Sequence, residues 1–190
     1  MKILCIIDCQ NDFITGSLGS PEAQAIVPKV VDKIRKFKDE NIVITKDTHF
    51  DNYLTDTLEG KILPVKHCIC NTLGHKINNE IYQMLEEKEK LCNIKIYDII
   101  KNTFGYCNWA EKIYDIINFS AIKESELEIE LCGLCTDICV VSNALALRMF
   151  FPNVHISVDA TCCAGTSVEA HEAALKVMES CQIEVINDQN

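Results

Sequence analysis

The sequence predicts an α/β fold: a three-layer, doubly wound domain around a mostly parallel six-stranded sheet. Three observations predict it. Six apolar runs of strand length recur, and a segment of helical periodicity lies between each pair. The strand runs are apolar at most positions instead of alternating, as strands are when both faces of a sheet are covered. The chain has 190 residues, 48% hydrophobic and 24% charged, enough for one well-buried core without staples.

The strand runs are KILCII (2–7), NIVIT (41–45), NIKIYDII (93–100), LEIELC (127–132), VHISV (154–158) and QIEVI (182–186). Between the first two, residues 26–40 place Ile26, Val30, Val31, Ile34 and Phe37 on one helical face, and Ser20-Pro21 is a helix start. Residues 76–87, 108–118, 137–150 and 167–180 read as the remaining helices. With no repeat, low-complexity tract or linker, residues 1–190 read as a single domain. Asp47 to Asn71 fits no regular element, and a loop of that length carrying two histidines and several acids is read as functional.

Charge narrows the classes. A formal net charge of −10 and a pI near 4.9, with no basic patch, argue against nucleic-acid or anionic-membrane partners. The apolar run in MKILCIIDCQNDF is too short for a secretory signal, and no run approaches a membrane span. A cytoplasmic location follows as the expectation, with the twelve cysteines reduced and mostly packed as small hydrophobes.

Ligands of open parallel sheets bind beyond the carboxyl ends of the strands. There the sequence delivers Asp8, then Asp47 with His49, then Lys101, then GLCTDIC. Each alone reads as a loop cap, a surface charge or a packed thiol; together they read as an active site. Within ELCGLCTDICVV, Gly133 permits a sharp turn, Thr136 or Asp137 is positioned to cap a helix, and Cys139 falls in the first turn, where free N–H groups favour a thiolate. Those N–H groups suit an oxyanion hole, to which the amide of Cys135 is placed to contribute. Two rivals stay open: a redox pair at Cys132-x-x-Cys135, and a zinc knuckle, for which Cys68, Cys70, Cys162 and Cys163 have poor spacing.

With these residues assembled, nearly the whole chain resembles the isochorismatase-like cysteine hydrolases, and within them the nicotinamidases. IIDCQNDF resembles their aspartate motif, KNTFG their lysine motif, GLCTDICV their nucleophile motif, and DTH with LPVKHC and NTLG their metal-binding region. The resemblance implies a triad of Cys139, Asp8 and Lys101, an oxyanion hole from the backbone of Cys135 and Cys139, and a cis peptide at Leu134–Cys135. It implies a divalent metal, zinc first and iron or manganese next, on Asp47, His49 and His67. Where the family has a further His, this chain has Thr55, so Glu59 is taken as the fourth ligand, with Asp51 and Asp56 as alternatives.

Phe13 resembles the family's ring-stacking aromatic, whereas the Trp expected three residues before His67 is replaced by Pro64. Tyr106 and Trp109 are the candidates to compensate. His75, His155 and His171 lack motif context and read as surface or core residues. The resulting expectation is a homo-oligomeric cysteine amidohydrolase whose partner is a small-molecule amide, nicotinamide first. The alternatives are hydrolysis of another small amide, ureide or vinyl ether, a non-catalytic binding module, and the redox protein.

Overall fold

The computed structural model describes residues 1–39, 41–117 and 123–188. In chain order the elements are β1 (Lys2–Ile7), α1 (Asn11–Ile14), α2 (Pro21–Lys36), β2 (Asn41–Asp47), α3 (Tyr53–Asp56), α4 (Leu58–Ile62), α5 (Asn79–Cys92), β3 (Lys95–Lys101), α6 (Trp109–Ile116), β4 (Glu128–Leu134), a π-helical turn at Thr136–Val140, α7 (Val141–Phe150), β5 (His155–Ala164), α8 (Val168–Ser180) and β6 (Glu184–Ile186). The six strands form one sheet in the order β3-β2-β1-β4-β5-β6, and every pairing is parallel. The fold is the α/β, six-stranded architecture expected from the apolar runs.

The chain winds outward from β1 in one direction and from β4 in the other. The carboxyl ends of these two central strands therefore flank the topological switch point, where a crevice opens because successive connections leave to opposite sides. Burial follows this order. In β1, Ile3 to Ile7 are fully covered. In β3, the edge strand, buried and open positions alternate towards its end, with Ile99 and Lys101 buried and Ile100 exposed.

Local chemistry sets the helix starts. The Ser20 hydroxyl accepts the Ala23 N–H at 3.0 Å and Pro21 follows, so α2 begins five residues before the periodic run at 26–40 and ends at Lys36. Ser167 does the same for α8, accepting from Ala170 N at 3.1 Å. The 47–71 stretch, read as irregular, contains the short α3 and α4; the Thr57 hydroxyl caps the second by accepting from Gly60 N at 2.8 Å. The expected helix over 137–150 is a π-helical turn followed by α7. The expected end of α6 at residue 118 lies outside the described residues.

One buried charge network ties α2 to the sheet. Lys33 pairs with Asp159 of β5 at 2.6 Å and with Glu130 of β4, and Glu130 also pairs with Lys2 at 2.5 Å. These groups line the wall of a cavity of about 690 Å³ that contains none of Asp8, Asp47, Lys101 or Cys139. Burial works against charge on Asp159, but Lys33, Thr161 and Asn187 outweigh it and hold that carboxyl below its usual range.

Removing Lys33 leaves Asp159 without its cation and Glu130 with Lys2 alone, and breaking one partner out of such a pair costs about 3–5 kcal/mol. Lys33→Ala is expected to lower the urea midpoint accordingly, with the slope unchanged. Because the Asp159 pKa is depressed by folding, its contribution is present above the unfolded carboxylate value of about 3.9 and is lost as pH falls through the folded value. The gap between the two proteins should therefore narrow below pH ~4 in acid titrations of stability.

Candidate active site

At the end of β1 the chain leaves the sheet at Asp8, whose φ of +46° turns its fully buried carboxylate into the crevice. The Thr45 hydroxyl donates to Asp8 Oδ1 at 2.6 Å. Lys101 Nζ, from the end of β3, lies 2.5 Å from Asp8 Oδ2. That oxygen meets no donor at a hydrogen-bonding angle and is held by charge. Lys101 Nζ also donates to Cys139 Sγ at 3.7 Å, and the Asp8 charge acts on the same thiol. Three residues predicted from separate strand ends thus meet in one buried group.

Burial dominates the electrostatics. It raises the pKa of Asp8, with Lys101 pulling the other way. Burial disfavours the Lys101 ammonium, yet Asp8, Cys139 and Asp47 outweigh it and raise the lysine. Burial and then the Asp8 charge push the Cys139 thiol well up, against Lys101. The expectation that Cys139 falls in the first turn of a regular helix is corrected: it lies in the π-helical turn, 4% exposed, beside the Asp8–Lys101 pair. Thr136 and Asp137 are not caps either. Thr136 Oγ1 hydrogen-bonds His171 Nδ1 at 2.8 Å, and Asp137 accepts from Thr166 N at 2.8 Å and from its hydroxyl at 2.5 Å.

The turn before Cys139 rests on one glycine. Gly133 has φ +125° and pairs with Ile7, and a Cβ there would lie 2.1 Å from the Ile7 carbonyl oxygen. A cis peptide joins Leu134 to Cys135, as the resemblance implies. All twelve cysteines are free; Cys132 is buried between strands and Cys135 packs against the core.

Beside this group lies a second cluster. Asp47 Oδ2 is 2.9 Å from His49 Nε2 and 3.4 Å from His67 Nε2, and Glu59 Oε1 reaches the same nitrogens at 3.7 and 3.5 Å. One ligand atom from each of Asp47, His49 and His67 falls within 4.8 Å of the others. His49 Nε2 is buried without a hydrogen bond of acceptable angle, and His67 Nδ1 is used by the Val65 carbonyl at 2.9 Å, leaving Nε2 for the cluster. Burial disfavours a charged His67, but Asp47, Glu59 and Val65 outweigh it and hold its pKa up at about 10. A proton and a cation thus compete for one place, and the donor set fits a divalent metal. Asp51 and Asp56, the other candidates, are exposed, and Asp56 accepts from Asn52 at 2.9 Å.

Phe13 stands with its ring 5.5 Å from that of His67. A cavity of about 230 Å³ opens next to the cluster, lined by His49, Phe50, Leu58, Glu59 and Asn102 among others. Trp109 is fully buried and its indole donates to Asn143 at 2.9 Å, so it packs in the core instead of compensating for the missing Trp.

Three supporting residues escaped the sequence reading. Gln10 clamps the backbone of Asp47, donating to its carbonyl at 2.8 Å and accepting its N–H at 2.7 Å. Thr45 orients Asp8, and Tyr53 packs its ring 4.5 Å from that of His49 and 5.1 Å from that of His67. Gln10 and Thr45 lie in the motifs already singled out; Tyr53 has no local signature.

A doubly wound sheet with a reactive constellation at its switch point belongs to an enzyme, and the comparisons with known proteins agree. The model of the isochorismatase domain matches residues 2–190, and the chain belongs to the isochorismatase family. It is 25% identical over 215 residues to the nicotinamidase of Schizosaccharomyces pombe, covering 98% of this chain and 93% of that protein. It is 27% identical over 199 residues to the nicotinamidase/pyrazinamidase of Mycobacterium tuberculosis, covering 98% of each. The nicotinamidase structure from Bacillus subtilis superposes with a TM-score of 0.77 at 26% identity, covering 97% of this chain and 98% of that one.

Gly133→Ala is expected to cost more than about 3 kcal/mol, because it combines a forbidden φ with a collision against β1. Chemical denaturation, or the absence of folded protein on purification, would show it; a stability within 1 kcal/mol of the parent, roughly the scale of an ordinary substitution, would contradict the geometry.

Proposed function

We propose that this protein is a cysteine amidohydrolase that converts nicotinamide to nicotinate and ammonia. The observation that carries the proposal is the meeting of the Lys101 ammonium with both the Asp8 carboxylate and the Cys139 thiol, all three removed from water. The nicotinamidases of S. pombe and M. tuberculosis, matched over 98% of this chain, support the choice of amide.

Asp8 takes the thiol proton as Cys139 Sγ attacks the carboxamide carbon. The oxyanion that forms is stabilised by the backbone N–H groups of Cys135 and Cys139. Asp8 returns the proton to the departing nitrogen, ammonia leaves, and a thioester to Cys139 remains. Water then attacks the thioester, giving a proton to Asp8 that passes back to sulfur as nicotinate departs. Lys101 stays charged throughout, and its fixed ammonium opposes the protonation of Asp8 that burial favours.

Asp47, His49, Glu59 and His67 are the residues to hold the divalent metal; a pyrazinamidase structure from Pyrococcus horikoshii, alike in fold, contains zinc. A metal bound there supplies a Lewis-acid anchor for a ring nitrogen, which is positioning chemistry. Phe13 offers its face to the same ring. Pro64, standing where the family has a Trp, favours one second reading, in which the substrate is another small amide of different shape.

Two measurements test this. Ammonia release from nicotinamide should be readily detected for the purified protein and fall by at least about 10⁴-fold in Cys139→Ala; no release from the parent would sink nicotinamide as substrate. For the second, Glu59→Ala should weaken zinc affinity by about 10- to 100-fold in competition with a chromophoric chelator. Unchanged affinity there would remove Glu59 from the ligand set and leave the other three.

A further inference from the structure

Lys101 and Cys139 must sit within 3.7 Å of each other, yet the sheet does not connect them directly. Lys101 ends β3, the edge strand, and Cys139 follows β4, with β2 and β1 in between. Any movement of the edge strand would change the Lys101–Cys139 distance unless something outside the sheet fastened the two ends together. Asn143, one helical turn beyond Cys139 and fully buried, makes that connection.

Its side-chain amide makes four hydrogen bonds. Oδ1 accepts from Tyr106 N–H at 2.9 Å and from Trp109 Nε1–H at 2.9 Å. Nδ2 donates to the Phe104 carbonyl at 3.1 Å and to the Cys139 carbonyl at 2.8 Å. The partners fix the orientation of the amide: an amide N–H and an indole N–H only donate, and two carbonyls only accept. A carboxylate would face two carbonyls, an alcohol would span too little, and an aliphatic residue would strand four polar groups. Gly105 adds an independent sign of close approach, since a Cβ there would come within 3.2 Å of the Ser142 carbonyl oxygen.

We propose that Asn143 is a positioning residue that locks the segment following Lys101, residues 104–109, onto the turn that carries Cys139. It touches neither the reacting atoms nor the metal cluster. Its effect is to keep the ammonium and the thiol at their working separation while substrate enters and product leaves. The inference rests on the reading of Cys139 as nucleophile and Lys101 as its charged partner, but not on nicotinamide as the substrate.

The test is the rate constant for alkylation of Cys139 by iodoacetamide, followed by peptide mass spectrometry in the parent and in Asn143→Ala. A fall in folded fraction changes the amplitude of this reaction, whereas displacement of Lys101 changes its rate constant. Trp109 is the chain's only tryptophan, so a red shift of its emission reports whether the segment has come loose. The expected result is a red shift with a rate constant lower by about ten-fold or more. An unchanged or higher rate constant would overturn the proposal.

If Asn143→Ala does not fold, Trp109→Phe removes one donor while keeping an aromatic ring in the core. Its Cys139 alkylation should then slow by about three-fold, and an unchanged rate would again overturn the proposal. Ammonia release is measured alongside. A parent protein that alkylates fast but releases no ammonia from nicotinamide would end the substrate reading, while the ratio between parent and variant would still decide the role of Asn143.

Discussion

The constraint on which the rest of the structure depends is the burial of the Asp8–Lys101 ion pair at the carboxyl edge of the sheet. Taking two charges out of water is expensive, and their attraction repays it only with good geometry and further hydrogen bonds. The surrounding architecture supplies both. Thr45 occupies one oxygen of Asp8, the central strands exclude water, and Gly133 lets the end of β4 come close to that of β1. The pair contributes little to stability by itself. Its use is to set a fixed cation against the protonation that burial favours on Asp8, next to a thiol whose proton must go somewhere.

The first motif does more than deliver Asp8. Two residues on, Gln10 clamps the backbone of Asp47; a further two on, Asp12 accepts the Cys68 N–H at 2.8 Å, next to His67; and Phe13 places its ring against that of His67. One short segment after β1 therefore fixes the triad and two arms of the metal cluster. This coupling helps to order a loop as long as 47–71 with so little regular structure: its ends are tied to the segment after β1 through Gln10 and Asp12, and to each other by a bridge between His49 and Ile69.

The parts of the fold that were legible were those written in local patterns. Nearly continuous apolar runs marked the parallel strands because both sheet faces are covered, and Ser20-Pro21 announced its helix through capping chemistry that needs no distant partner. The meeting of Asp8, Lys101 and Cys139 was legible because each follows an apolar run. Local rules failed where tertiary partners outbid them. Thr136 and Asp137 looked like caps, but His171 of α8 and Thr166 in the loop before that helix claim them. Trp109 looked available for a pocket, but Asn143 draws its indole into the core. The helices α3 and α4 span four and five residues, too short to display a period.

Twelve free cysteines raise the question of what sets one apart, and acidity is not the answer. Burial raises the pKa of Cys5, Cys9, Cys68, Cys132 and Cys163 as it raises that of Cys139. The contrast lies in their neighbours. Cys132 sits within the hydrophobic core and Cys135 packs against it, its pKa raised to about 12 by burial and then by Asp137 and Asp8. Cys139 has both an acceptor for its proton and a fixed cation beside the sulfur. What sets Cys139 apart is the pair of partners at its sulfur, Asp8 from the end of β1 and Lys101 from the end of β3, and two separate strands must hold them there together.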